Sequence, residues 1–387
     1  MRRKPTVRYA HHSAVGYAEG ADDNRRLSPE TLMTPLASSR QWHLANRPTG
    51  EPTTSDVRFV TVDLAPLAEN EVRVQNLFIS VDPYMRGRMN DVKSYVPPFA
   101  LDQVMDADAV GRVIESRSPD LAVGQLVQHF QGWRDVAQGD ASRFTAREEV
   151  RGITPSVYLS ALGLTALTAW VGLLVIAEMK PGDTVFVSGA AGAVGSAVGQ
   201  IARLRGAARV IGSAGSDEKV ALLTSRYGFD AAFNYKNGTV SRMLREAAPD
   251  GIDVYFDNVG GDHLEAAIFA FNDGGRAAIC GAISAYNAER AEPGPRNLAM
   301  LISKGLTLKG FTIPSYQQYA TEFFREITPL VTSGAFVFDE TVIDGVENAF
   351  DAWQRLMHGG NIGKMLVRVT EDRSAAGTQL AGSPARS

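Results

Sequence analysis

The chain of 387 residues contains one cysteine, Cys280. One thiol can close no internal disulfide and build no thiolate zinc cluster, so a reducing, cytoplasmic setting is the simplest expectation. An excess of charge of one sign is also missing: 39 basic against 43 acidic residues leave a net charge of -4. Without a basic domain or stripe there is no electrostatic footprint for nucleic acid. The six histidines are His11, His12, His43, His129, His263 and His358, and none stands at ligand spacing from Cys280. No metal site is expected. Two motifs are absent as well: no G-x-x-x-x-G-K-[ST] occurs, which excludes a P-loop NTPase, and the glycine loop has no G-x-S-x-G hydrolase elbow. One uncharged run, Val157 to Ala177, is long enough to span a bilayer. It is interrupted by Ser160, Gly163, Thr165, Thr168 and Gly172 and leads straight into a strand, so a buried helix broken near Gly163 or Gly172 is expected. The basic start "MRRKPTVRYAHH" has no apolar core behind it and does not read as a secretory signal.

What is present suits an ordinary globular protein, with 44% hydrophobic and 21% charged residues and a length for about two domains. Residues 1–39 are polar and aperiodic and are expected to be a disordered extension, as is the tail 371–387. From Gln41 to about Gly152, short runs such as "EVRVQNLFISVDP" and "DADAVGRVIES" alternate with Gly, Pro and Asp, predicting a compact, mostly β unit. From Thr184 the pattern becomes strand, helix, strand, helix, which predicts a parallel sheet covered on both faces. The closing segment "NIGKMLVRV" reads as a strand with no obvious place in that sheet, and a return to the first unit would accommodate it.

The stretch "VSGAAGAVGSAVGQ" joins a predicted strand to a predicted helix. Gly189, Gly192 and Gly195 follow at intervals of three. A pyrophosphate needs close approach to the backbone, which a missing Cβ at Gly192 permits, and Gly195 lets the helix pack tightly. The helix N-terminus then supplies free N–H groups and positive dipole. Close packing without a ligand would need the same glycines, so the strand–loop–helix setting carries the argument. An NAD site usually ends its second strand on Asp or Glu. Here that end is Gly212, Ser213, Ala214 and Gly215, with no carboxylate, and Lys219 sits one turn into the next helix. A cation there suits the 2′-phosphate of NADPH. Asp217 and Glu218 have an adequate role at a helix start capped by Ser216.

With "FNYK", "YFDNVGG", "GAISAYN" and "NIGK" downstream, and "SVDPYMRGRM", "SYVPPF" and "GWRD" upstream, the chain from Arg40 to Val369 resembles the zinc-independent medium-chain dehydrogenase/reductases. Within them it is most similar to the prostaglandin reductase, alkenal reductase and curcumin reductase branch. The resemblance implies an α/β fold: a Rossmann doubly wound parallel sheet over 160–312, and a GroES-like, mostly β catalytic domain from 40–159 and 313–370. It implies NADPH as cofactor, a homodimer, and reduction of a carbon–carbon double bond conjugated to a carbonyl. Gly192, Ala193, Val194, Gly195 and Ser196 would hold the pyrophosphate, and Lys219 and Tyr235 the 2′-phosphate. Asn258, Cys280, Gly281, Ala282, Ile283, Ser284, Tyr286, Phe311, Thr312, Ile313 and Asn361 would line the rest.

In that chemistry hydride adds to the β-carbon of an enone or enal, and the carbonyl oxygen becomes an enolate that needs an aimed hydrogen-bond donor. Tyr286 is the first candidate donor and Tyr84 the second; a plain cofactor contact for Tyr286 and a packing role for Tyr84 stay open. Cys280 reads as a small wall residue. Two other readings remain: a quinone reductase of the same superfamily, and a nucleotide-binding protein without catalysis.

Overall fold

A computed structural model of the chain describes residues 8–9, 38–150, 152–290 and 293–372. The expectation of disorder for 1–39 and 371–387 therefore falls largely outside the described residues. The first unit contributes strands β1 (Arg8–Tyr9), β2 (Ser38–Leu44), β3 (Val57–Asp63), β4 (Glu71–Ser80), β5 (Ala109–Ser116), β6 (Leu126–His129), β7 (Val136–Asp140) and β8 (Phe144–Ala146). In β4, Val72, Val74, Leu77 and Ile79 are all at most 3% exposed, so this strand lies at the centre of its layer.

The second unit carries β9 (Thr184–Val187), β10 (Arg209–Ala214), β11 (Ala231–Asn234), β12 (Ile252–Asp257), β13 (Phe271–Ile279) and β14 (Thr307–Gly310). They form one all-parallel sheet in the order β11-β10-β9-β12-β13-β14. The order reverses between β9 and β12, and a doubly wound sheet of this kind binds its ligand at the carboxyl ends of the strands at that reversal.

The last two strands, β15 (Glu340–Asp344) and β16 (Lys364–Arg368), leave the parallel sheet and join the first one. β16 pairs antiparallel with β4, Leu366 opposite Ser80. This completes an eight-stranded sheet and answers the question left by "NIGKMLVRV". The join is fixed by a buried ion pair, Lys364 to Asp82 at 3.0 Å. Its ammonium also donates to the carbonyls of Val81 and Met365, so the buried charge has three acceptors.

The uncharged run becomes a short 3-10 turn, Pro155–Leu159, then a helix, Leu164–Val171, with Gly163 at its N-cap. Its last turn widens into a π-turn, Gly172–Ile176. A Cβ on Gly172 would lie 2.4 Å from the Phe256 ring, so the glycine lets the segment rest directly on β12. The run packs against Leu77, Val110 and Leu126 of the first sheet and against Val185, Ala197 and Val198 of the second unit. Its apolar length is accounted for by burial between two layers, at roughly 1.5–3 kcal/mol per large side chain. Among the described residues no helix is long and apolar enough to cross a membrane.

Candidate active site

One cleft of about 1860 Å³ runs along the carboxyl ends of β9, β10, β12 and β13 and is walled on its other side by the first unit. The glycine loop forms its floor. Gly189 has a φ of 60°, Gly192 caps the helix Ala193–Leu204, and the two later glycines of the motif are explained differently. A Cβ on Gly195 would stand 2.5 Å from the Gly189 carbonyl oxygen and 2.6 Å from Ala190 Cα, so the protein's own packing demands glycine there. A Cβ on Gly192 would meet only the Gly189 oxygen, at 3.4 Å. Nothing among the described residues requires Gly192, whereas a pyrophosphate approaching the helix N-terminus would.

The loop after β12 is pinned to this floor by a buried carboxylate. One oxygen of Asp257 accepts from the Tyr255 hydroxyl (2.7 Å), the Gly260 N–H (2.8 Å), the Val259 N–H (2.9 Å) and the Ser188 hydroxyl (3.2 Å). The Asn258 side chain donates to the Ser188 carbonyl at 2.8 Å. The Asp257 carbonyl accepts from the Cys280 and Gly281 N–H groups. Cys280 and Gly281 are thus set by Asp257, which sequence reasoning passed over, and Asn258 by Ser188. Burial raises the Asp257 carboxyl above its ordinary range despite its donors, and it raises the Cys280 thiol to about 12, which leaves that thiol protonated.

At the end of β10, Ser216 caps the helix Asp217–Ser225, its side chain accepting from the Lys219 N–H. The half-buried Lys219 ammonium reaches across to the Gly359 carbonyl, 2.8 Å away. Its pKa is lowered first by burial and next by repulsion from Lys236. Lys236, Tyr235 and Ser216 line the same recess, and a Cβ on Gly215 would lie 2.9 Å from the Tyr235 hydroxyl. Two cations that act on one another beside a strand end without a carboxylate suit a dianion. The second cation, Lys236, was missed in the sequence, although "FNYK" contains it.

The opposite end of the cleft collects aromatic hydroxyls. The Tyr286 hydroxyl accepts from the Ala282 N–H at 3.4 Å, and burial raises its pKa. The Tyr84 hydroxyl is buried with no hydrogen-bond partner among the described residues, and burial raises its pKa strongly. Both phenols therefore keep their protons at neutral pH and can donate. Tyr95, also missed, stands close enough to Tyr286 and Cys280 to feel both. The two candidate tyrosines are linked by a buried arginine. Arg86, two residues after Tyr84, donates to Asn287, next to Tyr286, at 3.1 Å, and also to the Gly50 carbonyl at 2.7 Å.

Of the expected residues, the cleft brings together Gly192, Ala193, Val194, Gly195, Lys219, Tyr235, Asn258, Cys280, Gly281, Ile283, Ser284, Tyr286, Phe311, Thr312, Ile313, Asn361 and Tyr84. Ser196 and Ala282 are not on its wall. The Ser196 hydroxyl turns back to the Ala193 carbonyl, and Ala282 backs Gly260. Asn361 is buried and donates to the Gly363 carbonyl, while the Gly363 N–H donates to Ala191 in the glycine loop. The cradle at Gly192 and the paired lysines fit a dinucleotide bearing a 2′-phosphate. Among the described residues no three His, Cys, Asp or Glu side chains are placed to hold a metal ion.

Comparison with known proteins gives a consistent result. The family described as the N-terminal domain of oxidoreductase matches residues 40–146, and the one described as zinc-binding dehydrogenase matches 193–329. The chain is 40% identical over 345 residues to the NADP-dependent 2-alkenal reductase of Nicotiana tabacum, covering 88% of this chain and 100% of the relative. It is 38% identical over 341 residues to the NADPH-dependent curcumin reductase of Escherichia coli, covering 86% and 98%. Among solved structures, CurA from Vibrio vulnificus in complex with NADPH superposes with a TM-score of 0.82 at 38% identity, covering 86% of this chain and 100% of CurA.

Proposed function

The chain belongs to the medium-chain dehydrogenase/reductase family, alongside its NADP-dependent alkenal and curcumin reductases, and from that premise we propose how its cleft works. The protein is an NADPH-dependent oxidoreductase that reduces the carbon–carbon double bond of α,β-unsaturated ketones and aldehydes. The observation that carries the assignment of the site is the meeting, in one cleft, of a two-lysine recess at one end and two protonated phenols at the other.

Bound NADPH supplies the hydride. The protein's part is placement and charge. The N–H groups at Gly192 to Gly195 hold the pyrophosphate, and Lys219, Lys236 and Tyr235 hold the 2′-phosphate. Tyr286 donates a hydrogen bond to the substrate carbonyl oxygen, where negative charge grows as the double bond is reduced. Tyr84 lines the same cleft as a second phenol. The cofactor side is assigned to residues 160–312 and the substrate side to 40–159 with 313–370. A steady-state comparison tests the acceptor: an aryl enone should be turned over faster than a simple quinone, and the reverse order would make this a quinone reductase.

The partner is a small enone or enal. A homodimer and a cytoplasmic setting complete the reading. The lone Cys280 suits a reducing compartment. For the dimer, among the described residues β14 has a neighbour on one side only, the helix Met300–Lys304 buries none of its residues, and Ile302 is 88% exposed. A second copy paired along that edge would cover all three. Ile302→Lys should then shift sedimentation from dimer to monomer, and an unchanged dimer would place the interface elsewhere.

A further inference from the structure

Asp108 stands just before β5 on the wall of the cleft. It acts electrostatically on Tyr84, which places it at the tyrosine end. Its two side-chain oxygens accept from one group, the Gln128 amide of β6, at 3.1 and 2.9 Å. That amide is itself fixed: it donates to the Tyr158 carbonyl at 3.0 Å, and its oxygen accepts from Arg147 Nε at 2.9 Å. The charged and titratable groups that face Asp108 are Asp82 and Tyr84 after β4, Lys364 of β16 and Arg147 after β8. Lys364 is held by Asp82 and two carbonyls, and Asp108 forms no ion pair among the described residues. The other three carboxyl groups on the cleft wall are placed differently. Asp82 pairs with Lys364. Asp262 and Glu265 belong to the helix Gly261–Ala270, whose His263 packs edge-on against Tyr235 of the lysine recess. Burial pushes the Asp108 carboxyl up to about 7 against the Gln128 hydrogen bonds, with Asp82 adding to the rise and Lys364 opposing it. Near neutral pH this carboxyl carries a transferable proton, whereas burial holds the Tyr84 and Tyr286 phenols above their ordinary range. An acid matched to the working pH transfers its proton more readily than such a phenol.

We propose that Asp108 is the acid that protonates the α-carbon of the reduced substrate. The inference rests on the enone-reductase reading and completes it: Tyr286 serves the carbonyl oxygen, and a second group serves the carbon. Once the β-carbon has gained its hydride, the substrate is an enolate whose electron pair is shared between oxygen and the α-carbon. That pair takes the carboxyl proton of Asp108. The new C–H bond forms as the O–H bond breaks, the ketone is restored, and Asp108 is left as a carboxylate. The Gln128 amide donates to that charge and keeps both oxygens in place. Water in the cleft returns the proton before the next turnover. An acid fixed on one wall delivers from one face of the substrate only, so the new α-centre has a single configuration.

The test reads the α-carbon directly. The protein is given NADPH and an aryl enone with a methyl group on its α-carbon, in deuterated water, and the α-configuration of the ketone is determined by NMR and chiral chromatography. The single-turnover rate of ketone formation is followed against pH. The unaltered protein should give one configuration, with a rate that is full below about pH 7 and falls as the pH rises through it, because the carboxyl then loses its proton. Asp108→Asn should slow ketone formation by about a hundredfold or more, abolish the alkaline fall and give both configurations. Gln128→Leu keeps the carboxyl but removes the donors that favour its charged form, so it should move the fall to higher pH. The proposal is overturned by a single configuration in Asp108→Asn, by an alkaline fall that is absent from the unaltered protein or survives Asp108→Asn, or by an unmoved fall in Gln128→Leu. A merely structural role for Asp108 would lower the Tm of Asp108→Asn and leave the configuration single. No turnover of any enone by the unaltered protein would sink the reductase reading and the proposal with it, whereas intact turnover with the contrary outcomes sinks the proposal alone.

Discussion

Lys219 and Lys236 repel one another, and Glu218 offsets that repulsion at Lys219 only in part. A dianionic 2′-phosphate relieves that repulsion, so removing either lysine should cost NADPH more than NADH. Lys219→Ala is expected to weaken NADPH by about tenfold or more, the size of a lost charge-assisted bond, with NADH nearly unaffected. Fluorescence titration of both cofactors checks this, and equal losses would refute the assignment. Tyr286→Phe removes a donor and little volume. Turnover should fall by about a hundredfold if the hydroxyl faces the growing oxyanion, with NADPH affinity retained. Unchanged turnover would reduce Tyr286 to a contact residue. The two residues differed in how far the sequence revealed them. Lys219 could be read because its reason is local: a strand end without an acid and a cation one helical turn on. Asp257 and Lys236 owe their places to loops that only the folded chain brings together.

At the scale of the element, the glycine loop separates two demands that look alike in a motif. Gly195→Ala drives a Cβ into backbone atoms and should destabilise the protein by about 1–3 kcal/mol, read as a lowered Tm. Gly192→Ala makes only an ordinary contact with the Gly189 carbonyl oxygen and should keep the Tm while weakening NADPH. Equal behaviour of the two would remove the argument for a ligand at Gly192. A second element argument concerns the loop that carries Tyr286. Arg86 holds its neighbour Asn287 and the Gly50 carbonyl together, so the loop is fastened to the first unit. Asn287→Ala should lower kcat for an enone by about tenfold, the size of one lost hydrogen bond to a charged group, with unchanged NADPH affinity. Asn287→Asp, which keeps an acceptor for Arg86, should restore most of it; a Tm loss without a kcat change would make the contact merely structural. The long apolar run was legible as buried because its glycines and hydroxyls interrupt it. Its π-turn was not, since that depends on how closely Phe256 sits beneath Gly172.

At the scale of the whole molecule, the chain starts one sheet, builds a second, and returns to finish the first. The alternation of strand and helix made the second unit readable, and the misfit of "NIGKMLVRV" hinted at the return. The partner strand, β4, could not be read, because antiparallel pairing across so long a separation leaves no local pattern. The return has a functional consequence: the segment leading into β16 carries Gly363 to the glycine loop, and Lys364 to Asp82, two residues before Tyr84. One closing segment therefore touches both ends of the cleft. The account as a whole is tested most directly by isotope transfer. The protein is supplied with NADPH carrying deuterium at the transferring position and with an aryl enone, and the product is analysed by NMR. The saturated ketone, with deuterium on the former β-carbon, is the predicted product. An allylic alcohol labelled at the carbonyl carbon, or no transfer of label to any enone or enal, would contradict it.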